Sequence, residues 1–156
     1  MDPAIPGFVR IREIAREHAA IRAIIARIEE ELDRLLDHPA PPGAPWELPA
    51  LARSLASHLD RHFQLEESGG LLGAASGYYP PAAQVEAGQL IAEHRLFERR
   101  LMRICDELAS IRDPAVVVQT CFDGEIRRLV DDMVRHEARE ERLLEEITAS
   151  GRPSPD

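Results

Sequence analysis

Isoleucine and leucine recur in steps of three and four through four stretches of this chain, and no other feature limits its possible folds as much. The first stretch, about 9–37, carries Ile11, Ile14, His18, Ile21, Ile25, Ile28, Leu32 and Leu35. The second, about 47–67, carries Leu51, Leu55, His58 or Leu59, His62 and Glu66. The third, about 81–111, carries Leu90, His94, Phe97, Leu101, Ile104, Leu108 and Ile111. The fourth, about 114–148, carries Phe122, Ile126, Leu129, Met133, His136, Glu140, Leu143 and Ile147. Such steps put one set of residues on one face of a helix.

Proline and glycine separate the stretches. "HPAPPGAP" divides the first from the second, "SGGLLGAASGYYPP" the second from the third, and Asp113-Pro114 supplies a cap and a first-turn proline for the fourth. Pro49 falls in a first turn and is tolerated there. Gly124 is expected to bend the fourth helix. The predicted fold is all-α: one domain over 1–156, an antiparallel up-down-up-down four-helix bundle with a disordered tail from about 150. Only 4% of the residues are aromatic, which fits helices better than a sandwich or barrel.

A net charge of −9 argues against nucleic acid or anionic membrane as a partner. No apolar run approaches the length of a membrane span. The N-terminus lacks the basic start and apolar run of a secretory signal, so the chain is expected to stay in the cytoplasm. All 19 basic residues are arginine, which we read as a base-composition effect. Cys105 and Cys121 match no zinc spacing and are expected to be buried, reduced thiols.

The apolar stripes are interrupted by His18, His62, Glu66, His94, His136 and Glu140. Measured along 1.5 Å per residue, the four histidines lie about nine, six, thirteen and twelve residues from helix ends that an antiparallel bundle gathers together. They therefore fall at similar heights, one from each helix. Glu66 and Glu140 each follow a histidine by one turn on the same face. Burying two unpaired carboxylates costs several kcal/mol each, and no arginine lies in register to offset them. Imidazole and carboxylate without thiolate suit iron or manganese, and less specifically zinc. Six donors are too many for one tetrahedral zinc ion and suit two ions, two histidines to each, with both carboxylates bridging.

The stretches "EHAAI", "HFQLEE", "EHRLF" and "HEAREE" resemble those of the hemerythrin-like family of di-iron bundles, the HHE cation-binding domains. The resemblance spans about His18 to Glu140. It implies two iron ions, one held by His18 and His62, the other by His94 and His136, bridged by Glu66, Glu140 and an oxo or hydroxo group. Two departures matter. Oxygen-carrying members have a histidine one turn before the position of His94, where this chain has Leu90. Their last carboxylate follows its histidine by five residues, which selects Glu141, whereas the core stripe selects Glu140. Glu98, Tyr78 and Tyr79 are candidates to fill the place left by Leu90. His58 is expected beside the site rather than in it, and His38 on the surface.

The resemblance implies that the centre binds or reacts with O2, peroxide or NO. Fewer protein ligands leave more exchangeable positions, which favours peroxide or NO chemistry over reversible O2 storage. Catalase-like peroxide removal is the enzymatic form of this reading. The alternatives are a non-catalytic O2 or NO sensor or carrier, and a metal-free helical interaction module. The oligomeric state stays open.

Overall fold

A computed structural model describes residues 6–38, 40–68, 72–73 and 79–150, with side chains from 12 to 149 within them. Tyr78, the side chain of Ile11 and the tail beyond Ser150 lie outside the described residues. Five helices occur in chain order: α1 Pro6–Asp37, α2 Leu48–Glu67, α3 Pro81–Ser110, α4 Ala115–Gln119 and α5 Phe122–Ser150. No strand occurs among the described residues. α1 packs mainly on α2, α2 on α3 and α3 on α5, while α5 touches α1 over a shorter stretch.

The predicted stripes form the core. Ile21, Ile25, Ile28, Leu32 and Leu35 of α1 are buried with Leu51, Leu55 and Leu59 of α2, Phe97, Leu101 and Ile104 of α3, and Ile126, Leu129 and Met133 of α5. Leu59, not His58, takes the stripe position on α2. A second, smaller core joins Leu72, Ala83, Ala87, Leu90 and Leu143. On α3 His94 falls between the two cores, and on α5 His136 and Glu140 do. The apolar interior is thus interrupted by a polar layer.

Two expectations need correction. The fourth segment is not a single helix bent at Gly124: it breaks at Cys121, where φ is +58°. Three successive β-branched residues, Val116 to Val118, lose side-chain freedom in a helix, and α4 closes after five residues. Its start does use Asp113, whose Oδ1 accepts the Ala115 N–H at 3.0 Å. Cys121 is exposed rather than buried, Cys105 is half-buried, and both thiols are free. A left-handed φ at a residue with a Cβ is unfavourable by about 1 kcal/mol. Cys121→Gly is therefore expected to raise unfolding stability by up to about 1 kcal/mol in denaturant titration, less the added freedom of glycine in the unfolded chain. A loss of stability would show that the Cys121 side chain contributes more than its backbone strain.

Candidate metal centre

Each of the four long helices delivers one imidazole, and the four Nε2 atoms face one another in two pairs. His18 and His62 are 3.2 Å apart at Nε2, and His94 and His136 are 3.1 Å apart. Two nitrogens bound at about 2.1 Å to one ion, at an angle of 90–109°, lie about 3.0–3.4 Å apart. Both separations suit neighbouring ligands of a single ion.

The carboxylates stand between the pairs. Glu140 directs Oε1 at His136 (2.7 Å) and His94 (3.4 Å), and Oε2 at His18 (3.7 Å) and His62 (3.8 Å). One oxygen thus serves each pair. Glu66 Oε2 lies 3.4 Å from His62 Nε2 and 3.5 Å from His94 Nε2. Among the described residues, two donor groups emerge that could each hold an ion: His18, His62, Glu66 and Glu140; and His94, His136 and Glu140. Glu66 and Glu140 are 1% and 2% exposed. Glu66 Oε2 and Glu140 Oε2 are buried without a hydrogen-bond partner. Leaving two such atoms unmet is unfavourable, and a cation between the imidazole pairs would satisfy both. The donor set fits metal.

Outside this layer lies a second set of acids that the stripes did not mark. His94 Nδ1–H donates to Glu67 (2.9 Å), and His136 Nδ1–H donates to Glu93 (2.7 Å). His18 Nδ1 lies 3.4 Å from Glu137. His58 Nδ1 lies 2.7 Å from Glu17. Each of these acids meets an arginine: Glu67 with Arg95 (2.6 Å), Glu17 with Arg61 (3.0 Å), Glu93 with Arg139 and Glu137 with Arg22. A carboxylate on Nδ1 fixes the tautomer that leaves the Nε2 lone pair free to ligate.

The sequence carries a signal for these acids. Each is the immediate neighbour of a core donor: Glu17 of His18, Glu67 of Glu66, Glu93 of His94 and Glu137 of His136. One step turns about 100° round a helix, so each acid leaves the core stripe and reaches the next helix.

Charge in the layer is uneven. Burial, reinforced by the charge of Glu140, pushes the Glu66 carboxyl up to about 10. Burial also opposes charge on Glu140, but the imidazoles of His136, His62 and His94 overrule it and hold that carboxyl well below the ordinary range. Burial, then the proximity of His62, brings His18 down to about 4. His136 is raised: burial works against its charge, yet Glu140 and Glu93 outweigh it. Without a cation the layer thus keeps a proton on Glu66 and a lone pair on His18.

The other candidates fall outside the donor groups. Glu98 is half-buried and bound through both oxygens by Arg95, at 3.0 and 3.1 Å. Glu141 is exposed, one position past the buried Glu140. Tyr79 is half-buried against the smaller core, and burial raises its phenol. Leu90 is fully buried in that core and closes the space before His94 with hydrocarbon. His58 contacts Glu17. His38 is exposed.

A cavity of about 20 Å³ borders the layer, lined by His18, His62, Ile25, Phe97, Met133 and His136 among others. It is large enough for one water-sized molecule. No helix among the described residues is long and apolar enough to cross a membrane.

The family model for the hemerythrin HHE cation binding domain matches residues 9–147, nearly the whole chain. No curated protein and no solved structure matches.

Proposed function

We propose, for a chain that belongs to the hemerythrin HHE cation-binding family, that its histidine and glutamate groups hold two iron ions that bind or react with O2, peroxide or NO. The observation that carries this reading is Glu140, whose two oxygens are divided between two imidazole pairs in a layer with unmet buried acceptors. His18 and His62 would hold one ion, His94 and His136 the other, and Glu66 and Glu140 would bridge them. Imidazole and carboxylate donors favour iron or manganese over softer metals. Two such ions, when bound, supply the electron pair for exchange with a small oxidant.

The chain's own residues prepare that chemistry. His18 is neutral at ordinary pH, so its Nε2 lone pair is available. Glu93 carries charge, because hydrogen bonds from His136 and Arg139 outweigh the burial that opposes it. Glu66 would give up its proton to a bound cation, which would couple loading to proton release. Ile25, Phe97 and Met133 give the cavity beside the layer apolar walls.

We also read the four long helices as one up-down-up-down bundle. The outer acids support it: each precedes its donor on α1 and α3 and follows it on α2 and α5. A right-handed helix turns such neighbours the same way round the bundle axis only if helix direction alternates.

Elemental analysis with an absorption spectrum of freshly purified protein tests this reading. About two irons per chain and near-ultraviolet charge-transfer absorption are expected. Peroxide-driven O2 release, lost in His62→Ala, marks an enzyme, and reversible spectral change without turnover marks a carrier. A colourless protein indifferent to chelators would leave a helical interaction module.

A further inference from the structure

The outer acids run from helix to helix in one sense, and the run fails at a single ligand. Glu67 of α2 reaches His94 of α3. Glu93 of α3 reaches His136 of α5, and Glu137 of α5 approaches His18 of α1. The next step, from Glu17 of α1 to His62 of α2, is not made. Glu17 is taken instead by His58, one turn earlier, and by Arg61. His62 Nδ1 is left buried with no hydrogen-bond partner.

The two imidazole pairs therefore differ in how firmly they are held. His94 is fully buried, hydrogen-bonded at Nδ1, and stacked face to face on Phe63 with centroids 3.8 Å apart. His136 is buried, hydrogen-bonded at Nδ1, and set edge-on to Phe97 at 5.1 Å. His18 is 14% exposed, and its carboxylate neighbour at 3.4 Å is already engaged by Arg22. Its partner His62 is the ligand without an anchor. Glu140 gives one oxygen to each pair; Glu66, 3.4 Å from His62 and 3.5 Å from His94, joins only the His18–His62 donor group, so that position has the larger donor set but the more loosely held imidazoles.

We infer that the two metal positions are unequal: the His94–His136 position fills first and holds its ion, and the His18–His62 position is the exchangeable one. This rests on the reading above that the six residues hold two ions. A ligand whose outer partner fixes its tautomer and ring orientation binds without rearrangement, and losing such a partner typically weakens metal binding by about 10–100-fold.

Cobalt(II) titration of the metal-free full chain tests it, followed by calorimetry and by the visible absorption of the bound ion. Two resolved steps are expected, the first tighter by roughly tenfold or more. His18→Ala should keep the tight step and lose the weak one. Glu93→Gln, a gentler change to a positioning residue, should weaken the tight step by about 10–100-fold. Glu17→Gln should change neither step, since its histidine is not a ligand. Two steps of equal affinity, a single cooperative step for both ions, or loss of the tight step in His18→Ala would each overturn the inference while leaving a two-metal centre standing. Failure to bind cobalt at all would overturn that centre as well.

Discussion

Glu140→Ala is expected to weaken metal binding at both imidazole pairs together, by more than the roughly 100-fold that loss of an outer partner brings. The reason is its position: Oε1 meets His136 and His94, and Oε2 faces His18 and His62. No other side chain among the described residues belongs to both donor groups. Metal content after dialysis against limiting iron, beside a circular dichroism spectrum to verify the fold, measures the effect. Glu141→Ala is the control. Its side chain is exposed, and metal content should match that of the unaltered protein. If Glu141→Ala lost the metal and Glu140→Ala kept it, the ligand would be the residue five positions after His136.

Metal-free protein should lose stability as pH rises above about 6.5, and metal should abolish much of that loss. The folded Glu66 carboxyl titrates near 10, above its unfolded value of 4.5. Its contribution is therefore complete below 4.5 and declines as pH climbs toward 10. His18 has the opposite sign. Its folded value near 4 lies below the unfolded 6.5, so stability falls as pH drops from 6.5 to 4. Between 4.5 and 6.5 the folded chain holds the Glu66 proton and the unfolded chain the His18 proton, and the two slopes cancel. Above 6.5 only the Glu66 slope remains of the two, on the order of 1 kcal/mol per pH unit. The raised His136 steepens the decline. Below 4.5 stability falls, because the unfolded Glu140 carboxyl takes up a proton that the folded one, held low, does not. A bound cation replaces the proton on Glu66, so the loaded protein should show a shallower profile above neutrality. Thermal melts with and without chelator across pH 5–9 measure this. Parallel profiles for the two forms would mean that Glu66 does not face the cation.

The six polar residues of the layer were legible because helical spacing makes a polar residue on an apolar stripe conspicuous. Glu66 and Glu140 are the plainest cases, since a buried carboxylate demands a partner. The same spacing separated Glu140 from Glu141 by a single residue. The outer acids were not legible that way. Glu17, Glu67, Glu93 and Glu137 lie one step off the stripe, where glutamate is the ordinary solvated residue of a helix flank. What distinguishes them is the imidazole of the next helix, and a stripe describes one helix at a time. The break at Cys121 was missed for another reason. Gly124 was the obvious flexible residue, yet the chain turns three positions earlier, where the β-branched run of α4 ends. Cys121 adopts a backbone angle that its residue type does not advertise.

The cavity beside the imidazole layer has a consequence for what the protein can admit. At about 20 Å³ it imposes a ceiling on bulk before any chemistry begins. A visitor reaching His18 through this cavity meets hydrocarbon walls from Ile25, Phe97 and Met133, so one larger than a single water must displace a wall. Of the three, methionine yields most readily, having three rotatable bonds and no branch. Met133 is thus the adjustable jaw of a gauge, and selection by girth is set by an apolar side chain.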